Sequence, residues 1–311
     1  MQNGILKGVN GIIDKKLGVW SIGKTSPHYR HKEACDQLHR VPLKNFADEL
    51  LKKVYDQIKK NWKARPRKEP PSDKNWRFQP KRSMAKKNPS LEIQLQRAVV
   101  NINQKMWPDA ENWTNHVPTA SGLWDHKCDK HRAIDLVHVR PGQNRYDTVE
   151  FIELKVDRKS GHPVYAAIEV LLYGVLYIFS RRYLKEFRYD VTEQPLLQAK
   201  TIHLVVLAPC EYYKGYQFEW LEMEITKGLK GFIKKSEGYV MDFQFQAFPR
   251  DFSAEESIRD RALVKEALKD RQKIENIGQQ WRDEAKRFGC ATGGAPAVPG
   301  AWVGKRRTKR A

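Results

Sequence analysis

The sequence predicts an α/β fold in the broad sense, an α+β arrangement of a mixed β-sheet flanked by helices. Two apolar runs with strand alternation, at 132–139 and 148–156, are joined by Arg140-Pro141-Gly142-Gln143-Asn144. That linker is rich in turn formers, so the pair reads as a hairpin. A long apolar helix at 165–184 and a β-branched run, Thr-Ile-His-Leu-Val-Val-Leu at 201–207, follow it. Strand, helix and buried strand in this order call for a parallel pairing beside the hairpin, hence a mixed sheet.

The remaining elements follow in chain order. Residues 1–28 are rich in Gly and Lys with scattered apolar residues, and suggest a short strand or hairpin. Between 42 and 62, Leu43, Phe46, Leu50, Val54 and Ile58 recur every three or four residues, which predicts an amphipathic helix. Pro66, Pro70, Pro71 and Pro80 then break regular structure, so 64–90 reads as a basic linker. Trp62, Trp76 and Phe78 punctuate it, and aromatics among cations either stack on bases or pin the segment to the body. Ser90 is a good N-cap for a helix over 90–106 with Leu91, Leu95, Ala98, Val99, Ile102 and Met106 on one side. Beyond 210, strands are expected at 217–226 and 239–248, a short helix at 227–235 and a charged helix over 254–288. The Gly-, Ala- and Pro-rich stretch 289–311 predicts a disordered basic tail. The expected domains are a partly helical basic extension over 1–89, a central domain over 90–288 and that tail.

Charge is unevenly placed. The net charge is +20, yet residues 1–90 hold 22 Lys and Arg against 8 Asp and Glu. Residues 301–311 add five basic residues and no acid, while the stretch between is almost neutral. A near-neutral body with basic ends suits a polyanionic partner, because each cation on a phosphate releases a condensed counterion. Cys35, Cys128, Cys210 and Cys290 lie far apart and form no CxxC pair, which argues against a disulfide framework and for a reducing, cytoplasmic setting. No unbroken run of 18 or more apolar residues is present, so no membrane span is expected.

The chemistry concentrates in the hairpin. Asp135 interrupts an apolar strand between Ile134 and Leu136. A carboxylate there is costly to bury unless paired or bound to a cation. Glu153 and Lys155 are two apart in the next strand, so both point to one face. Two carboxylates and a backbone carbonyl form a hard oxygen site of the kind Mg2+ or Mn2+ takes, with the lysine beside it. Asp125, His126, Cys128, Asp129 and His131 precede the first strand without any standard zinc spacing, so a polar loop is expected, with His131 near substrate phosphate. Lys159 and His162, after Lys155, are placed to do the same.

This order of residues and elements resembles the PD-(D/E)XK nuclease superfamily, whose restriction-endonuclease-like core carries Asp and then Glu-X-Lys on a hairpin between two helices. The resemblance covers about 90–210, with Ile134 in place of the nominal proline. It implies Asp135, Glu153 and Lys155 as catalytic residues, and Glu92, Asp135 and Glu153 as ligands of Mg2+ or Mn2+. RecB-like members place Gln-X-X-X-Tyr on the next helix; here Glu169-Val-Leu-Leu-Tyr173 stands there, with Glu for Gln. The implied activity is metal-dependent phosphodiester hydrolysis. DNA is the first substrate and RNA the second, in phage defence, mobile-element processing or repair. A homodimer is compatible with such enzymes, as is a nucleoid-associated place in a prokaryotic cytoplasm, and the terminal Lys-Arg-Arg-Thr-Lys-Arg reads as either a nuclear signal or a phosphate-binding tail. The competing expectation is a non-catalytic nucleic-acid-binding or assembly protein that keeps the nuclease fold.

Overall fold

Six strands form one open mixed sheet in sequential order, β1 (Trp113–Pro118), β2 (Ala133–Val139), β3 (Thr148–Leu154), β4 (Thr201–Ala208), β5 (Val240–Ala247) and β6 (Gln272–Lys273). The first three strands are antiparallel, β3, β4 and β5 are parallel, and β6 returns antiparallel. The computed structural model describes residues 4–39, 42–66, 68–82, 90–102, 111–124 and 132–273. Among these are ten α-helices: α1 (Val9–Leu17), α2 (Lys32–Leu38), α3 (Phe46–Lys63), α4 (Leu91–Val100), α5 (Pro163–Arg182), α6 (Leu184–Phe187), α7 (Cys210–Tyr213), α8 (Glu219–Phe232), α9 (Ala254–Arg259) and α10 (Arg261–Lys269). The α/β class is therefore observed. The expected tail at 289–311 and His131 with its neighbours fall outside the described residues.

Strand alternation divides the sheet's side chains between two helical layers. Leu136, Ile152, Leu154, Val205 and Leu207 face one way and pack with Leu95 and Val99 of α4 and Val264 and Leu268 of α10. Phe151, one residue out of phase with Ile152, meets Tyr177 of α5 on the other side, at 5.4 Å between ring centroids. The helix α5 crosses close over β4 because Gly174 has no side chain; a Cβ there would stand 2.7 Å from Leu204 Cδ1. By length and composition α5 could span a membrane, but 89% of its apolar window is buried within the fold. It is apolar on nearly all sides because it is a core helix.

The basic N-terminal segment shares this core. Tyr55 and Trp62 of α3 pack edge-on against Phe179 of α5 and Phe187 of α6. Gly228 lets α8 meet α3, since a Cβ there would lie 2.7 Å from that of Ala47. Trp62 and Trp76 thus pin the segment to the body. Trp76 is fully buried, and its Nε1 donates to Ser180 Oγ at 3.0 Å. Its φ of 61° is unfavourable for a bulky residue, so packing of the indole holds the backbone in place.

Three expectations are corrected. Residues 9–17 form helix α1, whose Val9, Ile13 and Leu17 are buried at four-residue spacing. Residues 217–226 do not form a strand: α8 runs from Glu219 to Phe232 and buries Leu221, Ile225 and Leu229. The helix expected from residue 254 is broken at Asp260, whose side chain accepts from Ala262 N and starts α10 afresh.

A charged network that is structural closes the sheet's far end. Glu150, fully buried, accepts from His138 Nδ1 at 2.7 Å, Arg140 at 2.6 Å and Arg271 at 3.2 Å. Burial works against its charge, but His138 and the two guanidinium groups outweigh that and hold the carboxyl well below its ordinary range. Replacing Trp76 by alanine removes a buried indole and its hydrogen bond; chemical denaturation is expected to show a loss of about 3–5 kcal/mol. A loss under about 1 kcal/mol would show that this segment is not pinned through Trp76.

Candidate active site

Asp135 and Glu153 meet where the β2–β3 hairpin stops pairing. The last paired residues are Leu136 and Ile152, so one further step in the same register places Asp135 opposite Glu153. The Asp135 carboxylate takes over from the backbone there: its Oδ2 accepts from Leu154 N at 2.9 Å. Lys155 is fixed from the other side, its backbone N donating to Leu207 O of β4 at 2.9 Å. The parallel neighbour thus carries β3 two residues past its last pair in the hairpin and delivers the Glu-Leu-Lys segment in extended form.

The side chains interlock. The Lys155 ammonium donates to Glu153 Oε1 and lies 3.5 Å from Glu169 Oε2. The Tyr173 hydroxyl donates to Glu153 Oε2 at 2.8 Å, and the Tyr165 hydroxyl to Glu169 Oε1 at 2.6 Å. Tyr165, Glu169 and Tyr173 are four residues apart along α5, so one face of that helix carries all three to the site. Arg30 reaches across from the N-terminal segment and donates to the Tyr165 hydroxyl at 2.6 Å. Glu153 and Lys155 are buried, whereas Asp135, Glu92 and Glu169 are half-buried.

Electrostatics show a surplus of negative charge. Burial and then the charge of Glu92 push the Asp135 carboxyl up to about 7. Burial raises Glu92 to about 7 as well, against the pull of Lys155, with Glu153 and Glu169 adding to the rise. Glu153 is raised well above its ordinary range by burial and by Asp135. Lys155 shows the converse: burial disfavours its charge, but Glu153 and Glu169 outweigh that and raise it. Four carboxylates thus surround one ammonium, and those of Glu92, Asp135 and Glu153 are held towards their protonated forms, a surplus that a further cation would relieve.

Known proteins give no guide: no family model, no curated protein and no solved structure matches the chain.

Among the described residues, no three His, Cys, Asp or Glu side chains are already gathered as a metal-holding group. The Lys155 ammonium, between Glu153 and Glu169, occupies that middle ground. In donor type and charge, however, Glu92, Asp135 and Glu153 suit a hard divalent cation. Of the residues singled out from sequence, Glu92, Asp135, Glu153, Lys155, Glu169 and Tyr173 come together. Lys159 does not join them: it is exposed on the turn after Lys155, where Asp157 Oδ1 accepts from Lys159 N and Ser160 N at 2.8 Å. His162 is buried and caps α5 by accepting from Tyr165 N; burial lowers it to about 4, so it is neutral. Tyr165 and Arg30 were not anticipated. Tyr165 had a readable signal in its four-residue spacing from Glu169; Arg30 had none, being 135 residues from its partner.

A carboxyl raised in the folded state contributes stability below its unfolded pKa and loses it as pH rises through the folded value. Wild-type protein in chelator is therefore expected to lose stability, relative to Asp135→Asn, between about pH 4 and pH 7. Urea unfolding at pH 4.5 and pH 8 reads this, and Asp135→Asn is expected to gain on the order of 1 kcal/mol or more over that interval. An interval difference near zero would mean that Asp135 titrates as an ordinary carboxylate.

Proposed function

We propose that this protein is a metal-dependent nuclease that hydrolyses phosphodiester bonds, with DNA as its first substrate. The observation that carries the reading is the convergence of Asp135, Glu153 and Lys155 at the end of one hairpin, in a site with more carboxylates than cations. The likeness of this hairpin, its flanking helices α4 and α5 and the strand β4 to the PD-(D/E)XK nuclease arrangement supports it.

Glu92, Asp135 and Glu153 are the residues that would hold Mg2+ or Mn2+, which when bound polarises the scissile phosphate and lowers the pKa of the attacking water. Lys155 stays protonated and supplies positive charge where the phosphorus gains negative charge, and it orients the water. Glu169 and Tyr173 position Lys155 and Glu153 from α5, while Tyr165 and Arg30 hold Glu169. The polymer is held elsewhere by charge. Lys52, Lys53, Lys60 and Lys63 of α3 are exposed, on a helix whose apolar side is buried in the core. Such a surface binds phosphates without reading sequence. By analogy of chemistry, defence against phage, mobile-element processing and repair are the settings that fit.

Cleavage of single- and double-stranded DNA with Mg2+ or Mn2+ is the test. Wild-type protein is expected to cut, and Glu153→Ala and Lys155→Ala to lose about 100-fold or more in rate. Variants that cut as fast as wild type would remove these residues from the chemistry. A wild-type protein that binds DNA equally with and without metal and cuts nothing would be a binding protein on a nuclease-like fold.

A further inference from the structure

Beside the carboxylate cluster lies a cavity of about 450 Å³, within the range that holds small organic ligands. Arg30, Arg158, Lys159 and Lys214 line it, together with Lys32, which is already paired with Asp36. Arg158 builds the wall by donating to the Glu211 and Lys214 carbonyls at 2.6 and 2.8 Å. Lys159 has no acidic partner among the described residues, and Lys214 is exposed, 3.8 Å from Glu211. Gly161, His162 and Pro163 bring the N-terminal end of the 20-residue helix α5 to the same cavity, an end that favours anions.

Aromatic side chains complete the lining. Tyr212 also lines the cavity, but it is 1% exposed, and its hydroxyl, without a hydrogen-bond partner among the described residues, is itself enclosed by protein. The rings of His39 and Tyr216, edge-on at 5.4 Å, add flat apolar surface to the wall. Cations and a helix end suit a phosphate; the rings of His39 and Tyr216 and the volume suit the nucleoside attached to it. The cavity is wired to the catalytic lysine, since Arg30 on its wall bonds Tyr165, which bonds Glu169, which pairs with Lys155.

We propose that this cavity holds the phosphorylated terminal nucleotide of a nucleic-acid strand, so that the neighbouring cluster acts from strand ends. The inference rests on the nuclease reading for its second half, and the experiment separates the two. Binding is measured in chelator by fluorescence anisotropy, using one labelled oligodeoxynucleotide sequence with a 5′-phosphate, a 3′-phosphate or hydroxyls at both ends. Inorganic phosphate and a free deoxynucleoside monophosphate serve as competitors. One phosphorylated form is expected to bind about tenfold tighter than the hydroxyl form, the scale of a hydrogen-bonded charge contact. That ratio is expected to fall towards unity in Lys159→Ala/Lys214→Ala, which changes only exposed side chains. Equal binding of all three oligonucleotides by wild-type protein would overturn the proposal. So would tight binding of the monophosphate without any preference for phosphorylated ends, which would assign the cavity to a free nucleotide. A phosphate preference in a protein that cleaves nothing would retire the nuclease reading and leave end recognition standing, whereas cleavage without preference would do the reverse.

Discussion

The Lys155 ammonium is shared by the carboxylates of Glu153 and Glu169 and feels those of Asp135 and Glu92. One cation among four acids in a half-buried setting is an unbalanced arrangement, because burial weakens the solvent screening that would make like charges tolerable. The imbalance appears as carboxyl groups raised towards neutrality at Asp135 and Glu92. A proton or a divalent cation relieves it, and the proposed metal-assisted chemistry builds on that requirement. The Glu150 network is the instructive contrast. There one buried carboxylate meets His138, Arg140 and Arg271, the balance favours the ionised form, and the group serves the fold.

The unbalanced cluster persists because the surrounding elements determine its position from several directions. The register of β2 on β3 sets Asp135 across from Glu153, and β4 extends β3 by one residue to place Lys155. The face of α5 that carries Tyr165, Glu169 and Tyr173 sits close to the sheet, an approach that Gly174 permits at Leu204. The basic N-terminal segment does two jobs at once. Trp62, Trp76 and the buried side of α3 complete the core, and the exposed lysines of α3 leave a cationic surface. Arg30, from the same segment, braces the site through Tyr165.

Much of this was legible because it rests on short-range periodicity. Alternation exposed Glu153 and Lys155 as same-face residues in an apolar strand, and an isolated Asp135 in its neighbour. The spacing of Phe46, Leu50, Val54 and Ile58 gave helix α3, all four of which are buried. Where two periodicities competed, the local reading failed. Glu222-Met223-Glu224-Ile225 alternates like a strand, but Met223 is exposed and the buried set is Leu221, Ile225 and Leu229, the period of a helix. In α1, the glycine at position 11 masked the same four-residue spacing of Val9, Ile13 and Leu17. Arg30 was invisible, since its significance comes only from Tyr165, far away in sequence.

Calorimetric titration of Mn2+ into the protein near pH 7, in two buffers of different ionisation enthalpy, bears most directly on the central claim. If the carboxylates are held partly protonated by their own surplus charge, Mn2+ binds at a saturable site and releases protons to the buffer. Both the binding and the release weaken in Asp135→Asn and Glu153→Gln. Saturable binding without proton release, or with an affinity that neither variant alters, would contradict the account.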